Sequence, residues 1–287
     1  MSDVQIAPFG TLTEITLSDA DVPTRSDPPL RLPRAQLEHE RVEREAAFSQ
    51  MYRLVDDFHR VRCERDAAFR ALTRAHHETL FRLAHAAEFK EGDSGVRIVR
   101  IGALSAILAR ELGRPRTWCD MLLHAAPMLD VGKIAVPQDI LRGTAEPGDV
   151  ERRLLNSHTE IGARILGGSD IPVLNMASEI ALGHHEHWDG SGYPAGLAGN
   201  QVPLAARIVA VIDYFDERTM ARGRVAQRSD EVVREEIRQA RGRRFDPEIV
   251  DVFVANLERL ASARDFVTDQ RLGSRGRNWE GDWWTVF

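Results

Sequence analysis

The strongest constraint on the fold of this chain is a stretch from about Arg34 to Glu88 that contains neither glycine nor proline. Almost every residue in it favours a helix, and both residue types that interrupt helices are missing. Apolar side chains recur along it, largely at alternating intervals of three and four residues: Phe48, Met51, Val55, Phe58, Phe69, Leu72, Leu83 and Ala86. The pattern predicts one long helix with a coiled-coil-like seam.

Two arrangements of this helix fit the pattern. The seam favours a homodimer through the long helix, because a heptad-like stripe is buried readily against a second copy of itself. Arg62 and Arg65 interrupt the seam. In the alternative arrangement, the helix folds back as an amphipathic cover on its own domain. We expect the homodimer.

Four motifs rich in histidine and aspartate follow the helix. They are Asp130-Val131-Gly132-Lys133, Ser157-His158-Thr159-Glu160, the run from His184 to Pro194, and Asp213-Tyr214-Phe215-Asp216. An isolated histidine pair is more often two surface side chains, and a glycine-rich loop is usually a turn. Imidazoles and carboxylates together are good ligands for transition metals, so the set indicates a metal site beside a substrate loop.

In this order and with these separations, the motifs resemble the HD-GYP family, over about Leu83 to Phe253. The resemblance implies an all-α fold, an HD-GYP-like helical bundle preceded by the long N-terminal helix, with the site between helices. Active members of that family hydrolyse the bacterial messenger cyclic di-GMP at a centre of two or three metals. Four stretches are predicted as bundle helices: Val96 to Leu112, Trp118 to Met128, Glu151 to Leu166 and Ile171 to Gly183.

The same resemblance implies the metal ligands. The expected ligands of a first ion are all present: Asp130, His158, His184 and His185. A neighbouring ion would share Asp130 and add Asp213, while Asp93 and Asp216 match positions that hold a third ion. Two further ligand histidines of the family are replaced here by Arg97 and Leu129. Because carboxylates alone hold a transition metal weakly, we expect one divalent ion, iron, manganese or zinc, and an empty second position.

Arg97 is permanently cationic and binds carboxylates through two N–H groups. It is therefore expected to stand in for the absent ion and to balance Asp213, Asp93 and Asp216. Without it, these groups would crowd negative charge into a partly buried pocket. In the alternative, Arg97 points to solvent at the start of a helix.

Residues for a substrate also follow from the resemblance. Lys133, one of only two lysines in the chain, is expected near the scissile phosphate, and with Asp130 it forms the candidate catalytic pair. The predicted substrate-binding residues are Lys133, Gly192, Tyr193, Pro194 and Arg222. A lysine of the family is replaced by Val225, which weakens the expected binding of two phosphates, although Arg218, Arg222 and Arg224 partly compensate.

Two classes of function remain open. The first is a degenerate regulatory module in cyclic di-GMP signalling, which binds a nucleotide, a metal or a GGDEF-type protein partner. The second is a metal-dependent phosphodiesterase that hydrolyses cyclic di-GMP or a related nucleotide with an altered metal centre. Because two imidazole ligands are missing, the sequence favours the first class.

Composition limits which partners and which cellular location are expected. The net charge of −6 and a pI near 6.0 give no overall basic surface, so nucleic acid is not an expected partner. No apolar stretch reaches bilayer length and no signal-peptide pattern begins the chain, which predicts a bacterial cytoplasmic protein without a membrane span. Cys63 and Cys119 match no zinc-ligand spacing and are expected to be reduced thiols.

The sequence divides into four expected segments. Residues 1–33 are predicted to be a disordered or linker tail, 34–88 the long helix, and 89–261 the HD-GYP-like domain. Residues 262–287 are predicted to be a polar linker with an aromatic tail. That tail packs on its own bundle or docks on a partner.

Overall fold

The computed structural model describes residues 33–91, 95–141, 148–220 and 227–273. Within these ranges the chain forms eleven α-helices and no β-strand, so the predicted all-α fold is confirmed. The helices are α1 Arg34–Glu91, α2 Val96–Glu111, α3 Arg116–Ala125, α4 Gln138–Leu141, α5 Asp149–Asn156, α6 His158–Leu166, α7 Pro172–Gly183, α8 Leu204–Thr219, α9 Asp230–Gln239, α10 Pro247–Ala255 and α11 Leu257–Gly273. None of the helices described here is both long enough and apolar enough to cross a lipid bilayer.

The predicted long helix is present as α1, which is continuous over 58 residues. The chain divides into two compact units, Met1–Ala67 and Ala68–Phe287, so the first part of α1 belongs to one unit and the remainder to the other. In the first unit, the seam side chains are each at least half exposed: Phe48, Met51, Val55 and Phe58. The homodimer therefore stays a prediction, and these residues are the surface that it would bury.

The second unit is a helical bundle around α2 and α8. Helix α2 is apolar on most of its circumference, as expected for a helix buried on several sides, and it packs against α3, α8 and α11. Its core residues include Leu104 and Leu108, both fully buried. Phe215 of α8 meets Phe253 of α10 edge to face, with ring centroids 5.2 Å apart. The last part of α1 belongs to the same core.

Two predicted helices are broken within their apolar pattern. The stretch from Glu151 to Leu166 is divided into α5 and α6 at Ser157, whose hydroxyl donates to the carbonyl of Leu154 at 2.7 Å. The stretch from Trp118 to Met128 leaves the α-helix at Ala125 and continues as a 3-10 turn that contains Pro127. Both breaks place a predicted ligand segment at a helix end.

Close backbone packing brings the segment that follows Asp130 against α6. A Cβ at Gly132 would lie 1.9 Å from the carbonyl oxygen of His158, so only glycine fits in this turn. The 3-10 turn Val131–Ala135 and the start of α6 are consequently in direct contact. This contact sets Asp130 and Lys133 beside His158.

The C-terminal boundary differs from the expectation. Residues 262–273, which the sequence placed in a polar linker, continue α11. The terminal segments 1–32 and 274–287 lie outside the described residues, and with them the aromatic tail of Trp279, Trp283, Trp284 and Phe287.

Candidate metal centre

The expected ligands of the first ion come together in the bundle. His158 begins α6, His184 and His185 directly follow α7, and one ligand atom from each of the three lies within 4.8 Å of the others. Asp130 joins them: its Oδ1 is 3.5 Å from His158 Nε2 and 3.8 Å from His184 Nε2. Side chains from three separate segments therefore converge on one point.

Hydrogen bonds fix the orientation of two of the imidazole rings. His158 Nδ1 is 2.5 Å from the carbonyl oxygen of Leu155, and His184 Nδ1 is 2.9 Å from that of Ile180. Because a carbonyl oxygen only accepts, each Nδ1 carries the proton and each neutral ring has a lone pair on Nε2. The two Nε2 atoms face each other at 3.4 Å. Metal-binding histidines are commonly oriented in this way.

Burial keeps these rings neutral. It lowers the pKa of His184 to about 4, with the Asp130 carboxylate partly opposing the shift. Burial likewise lowers the pKa of His158 and of His185. At neutral pH the imidazoles are thus in the form that binds a metal, without a proton to displace from Nε2 of His158 or His184.

Asp130 supplies the clearest test of whether these residues fit an ion. Its Oδ1 is buried, and no hydrogen-bond donor reaches it from the part of the chain that the structure describes. A buried carboxylate oxygen facing two imidazole lone pairs is unfavourable unless a cation lies between them. Three imidazoles and one carboxylate form a donor set that suits iron, manganese or zinc. The residues present therefore fit a bound transition metal.

Arg97 occupies the other side of the same carboxylate. The buried guanidinium of α2 donates through Nη1 to Asp130 Oδ2 at 3.0 Å and to Glu88 Oε1 at 3.2 Å, and through Nη2 to Asp213. Lys133 Nζ also lies 3.0 Å from Asp130 Oδ2. The two oxygens of Asp130 thus have different surroundings, imidazoles at Oδ1 and cationic side chains at Oδ2.

The ion pairs control the charge of this cluster. Burial disfavours the ionised form of Asp130, yet Lys133 and Arg97 hold its pKa well below the ordinary value. Burial also works against charged Arg97, but Asp213, Asp130 and Glu88 raise its pKa well above the ordinary value. The Arg97 guanidinium and the Asp130 carboxylate consequently remain charged at neutral pH.

The partners of Arg97 differ in part from the expected set. The contact with Asp213 is present, and the solvent-facing alternative is wrong because Arg97 is 3% exposed. Asp216, however, is bound by Arg100, whose Nε and Nη2 donate to its two oxygens at 2.5 and 2.8 Å. Asp93 lies outside the described residues.

Sequence reasoning missed Glu88 and Arg100. Both are buried, Glu88 at the end of α1 and Arg100 one turn after Arg97. A signal for Arg100 existed, because arginines inside the otherwise apolar helix α2 require buried carboxylate partners. Glu88 carried no such signal among the many acidic residues of α1.

Leu129, the other position predicted to have lost a ligand, is fully buried in the hydrophobic core. It precedes Asp130 and ends the 3-10 turn Ala126–Met128. An isobutyl side chain supplies no donor, so the neighbouring position has the carboxylates of Asp130 and Asp213 but no imidazole from this segment.

The loop from His184 to Pro194 closes one edge of the site. A Cβ at Gly192 would lie 2.3 Å from the His187 nitrogen, so the loop can fold tightly only with glycine here. The Tyr193 ring stacks on His185 with centroids 4.8 Å apart, and Pro194 follows it. Buried Glu186 accepts from the Ala195 and Leu197 N–H groups at 2.7 and 3.0 Å and fixes the loop.

The remaining substrate predictions fall partly outside the described residues. Gly192, Tyr193 and Lys133 lie beside the expected metal ligands, whereas Arg222, Arg224 and Val225 are not described. Burial raises the pKa of the Tyr193 phenol, which is therefore a hydrogen-bond donor at neutral pH.

Comparison with known proteins gives consistent matches over this region. A family model described as HD domain matches residues 67–249. The chain is 34% identical over 192 residues, 67% of its length, to the 3'3'-cGAMP-specific phosphodiesterase 2 of Vibrio cholerae, of which it covers 37%. It is 37% identical over 186 residues, 64% of its length, to the cyclic di-GMP phosphodiesterase response regulator RpfG of Xanthomonas campestris, of which it covers 49%.

A third relative is a cyclic di-GMP phosphodiesterase of Thermotoga maritima, 38% identical over 58% of the chain and 45% of the relative. The chain thus spans less than half of the length of each of these relatives. Among solved structures, the cyclic GMP-AMP specific phosphodiesterase V-cGAP3 of V. cholerae aligns with a TM-score of 0.51 at 20% identity, over 71% of this chain and 54% of that one. This last likeness concerns the fold alone.

Proposed function

The chain belongs to the HD domain family, in its HD-GYP branch, and from this membership we propose that it is a cyclic dinucleotide-binding regulatory module with one metal position and impaired catalysis. One observation carries the proposal. Asp130 directs Oδ1 at the imidazoles and gives Oδ2 to Arg97 and Lys133, so the carboxylate that would join two ions joins one ion position to a guanidinium.

The chemistry of the donors argues against efficient hydrolysis. When bound, an ion supplies Lewis-acid polarisation of a phosphate oxygen. Arg97 lies where a second cation would bind. Unlike a metal ion, its guanidinium holds no exchangeable water molecule, and it does not lose a proton at physiological pH. Arg97 can stabilise negative charge, but it cannot activate a water molecule. A metal site with four protein donors also resembles a closed structural site more than a catalytic site, which keeps one coordination position open.

The retained side chains suit recognition of a phosphodiester. Lys133 provides a compact cation beside Asp130, and the neutral Tyr193 phenol provides a donor at the edge of the site. Gly192, Pro194 and Arg222 are the further residues that we assign to ligand binding. The names of the relatives indicate cyclic di-GMP or 3'3'-cGAMP as the class of ligand.

A second candidate function is a metal-dependent phosphodiesterase with an altered centre. It is favoured by the retention of Asp130 and Lys133 as a contacting pair, 3.0 Å apart, which would be the catalytic residues of such an enzyme. In this case Arg97 acts as the fixed second charge, and turnover depends on a single ion.

Two protein partners of the chain are also proposed. A GGDEF-type protein would bind the Gly-Tyr-Pro loop on the side where Ser191 and Pro194 are exposed and His187 is partly exposed. The homodimer would use the exposed seam of α1. Both assemblies fit a signalling module, because they transmit a ligand-dependent state without requiring turnover.

The experiment that tests the function measures binding and hydrolysis together. Cyclic di-GMP and 3'3'-cGAMP are titrated calorimetrically into the protein as purified, and the same samples are analysed for linear dinucleotide and mononucleotide products. The T. maritima relative is assayed in parallel. We expect saturable binding of at least one dinucleotide with no product. Turnover comparable to that of the relative would establish the second candidate instead.

A further inference from the structure

A second cluster of cationic side chains lies beyond the metal centre, around Tyr214. The guanidinium carbons of Arg218 and Arg244 lie 4.9 and 4.7 Å from the centroid of the Tyr214 ring. Both arginines are partly buried. Across the described ranges, neither of them forms an ion pair with a carboxylate. Arg228 of the same region, in contrast, binds Glu236.

The cluster shares helix α8 and a loop hydrogen bond with the candidate metal centre. Tyr214 follows Asp213, the partner of Arg97, on α8, and its hydroxyl donates to Glu236 Oε2 at 3.1 Å. The Arg244 carbonyl accepts from the Trp188 N–H at 3.1 Å, in the loop that leads to Tyr193. The ring and the second arginine are thus held in place by contacts other than those of the guanidinium groups.

A partly buried guanidinium without a counter-ion is unfavourable, and contact with an aromatic face offsets only part of the cost. Stacking leaves the N–H groups at the edge of the guanidinium plane available for an anion. A phosphate oxygen pair matches that edge, and two arginines together suit a doubly contacted phosphodiester.

We propose that Arg218 and Arg244 form a phosphate-binding subsite, which takes the second phosphate of a cyclic dinucleotide while Lys133 serves the first. The assignment rests on the proposed function and extends it. It gives the chain a source of affinity that does not depend on the metal ligands. It also predicts that binding responds to salt and to the loss of either guanidinium.

The test compares Arg244→Gln and Arg218→Gln with the matched control Arg234→Gln, which removes the same charge from an exposed position of α9. Affinity for cyclic di-GMP is measured calorimetrically on the full chain at two salt concentrations, and thermal unfolding reports on folding. Each subsite variant should bind about 10- to 100-fold more weakly, as expected for the loss of a charge-assisted contact. The control should bind like the wild type, and Arg244→Lys should recover part of the lost affinity.

The outcomes separate the assignment from the function on which it rests. Variants that bind like the wild type, even with a lower unfolding temperature, would show that the arginines only pack on Tyr214 and would overturn the subsite. Failure of the wild type to bind any cyclic dinucleotide would overturn the proposed function, and the subsite with it.

Discussion

Arg97 and Asp130 meet through a single carboxylate oxygen: the guanidinium donates to Oδ2 at 3.0 Å, and Oδ1 remains directed at His158 and His184. One carboxylate therefore faces the imidazole cluster with one oxygen and an arginine with the other. Because a guanidinium does not lose its proton or exchange with solvent ions, its charge is permanent. The proposed function depends on this fixed charge.

Replacement of Arg97 by methionine should strongly destabilise the protein. It would leave Asp130, Asp213 and Glu88 without the cation that contacts all three. Loss of one partner from a buried ion pair typically costs about 3–5 kcal/mol of unfolding free energy. Urea denaturation measures the change, with Arg238→Met as control because that arginine pairs on the surface with Glu235. A variant as stable as the control would show that Arg97 does not balance the cluster.

Restoration of both imidazoles should create the second metal position. In the double variant Arg97→His with Leu129→His, two nitrogen donors join Asp130 and Asp213, and the metal content should rise by about one equivalent per chain. Because Leu129 is fully buried, Leu129→Met serves as the control for disturbance of the core. Elemental analysis gives the readout. A folded double variant with unchanged metal content would contradict the ligand assignment.

The seam of α1 makes a separate prediction about assembly. Phe58 is 68% exposed, so Phe58→Asp should not disturb the fold of one chain but should place charge in a dimer interface. Light scattering after gel filtration should report a dimer for the wild type and a monomer for the variant. Arg53→Asp, five residues earlier on the same helix, adds the same side chain outside the predicted seam and should remain dimeric. A monomeric wild type would refute the dimer.

Acid should destabilise the fold through His124. Its ring stacks on His77 of α1 at 3.5 Å, and burial lowers its pKa to about 3, from 6.5 in the unfolded chain. The unfolded state therefore binds the proton first as the pH falls. The contribution of neutral His124 to the free energy of unfolding is complete above pH 6.5. Below that pH it decreases by up to about 1.4 kcal/mol per pH unit.

Urea unfolding of the wild type and His124→Gln at pH 7 and pH 5 checks the effect. The substitution should reduce the loss of stability on acidification, whereas His59→Gln, at an exposed position of α1, should leave it unchanged. Equal pH dependence in all three proteins would mean that His124 is not a source of acid sensitivity.

The proximity of the expected first-ion ligands could be predicted from the sequence because each residue lies in a short motif of fixed spacing. The structure brings Asp130, His158, His184 and His185 together as that motif set implied. Glu88 and Arg100 could not be found in the same way. Their pairings join α1, α2 and α8, and such contacts depend on how whole helices pack rather than on local spacing.

The length of α11 likewise could not be predicted from the local sequence pattern. Its polar composition predicted a linker, yet a narrow buried stripe at helical spacing stabilises it: Leu260, Arg264 and Val267. One of these positions is an arginine, whose charge is neutralised by Asp230 of α9. A sequence pattern that counts only apolar residues does not detect a stripe completed by an ion pair.

The metal content of the wild-type chain decides whether Arg97 replaces a second ion. The protein is purified without added metal, then saturated with manganese or ferrous iron, freed of excess ion and analysed by mass spectrometry for metal per chain. One equivalent of metal per chain is the predicted result with manganese and with ferrous iron, because Arg97 occupies the position of a second ion. Two equivalents per chain would contradict the account.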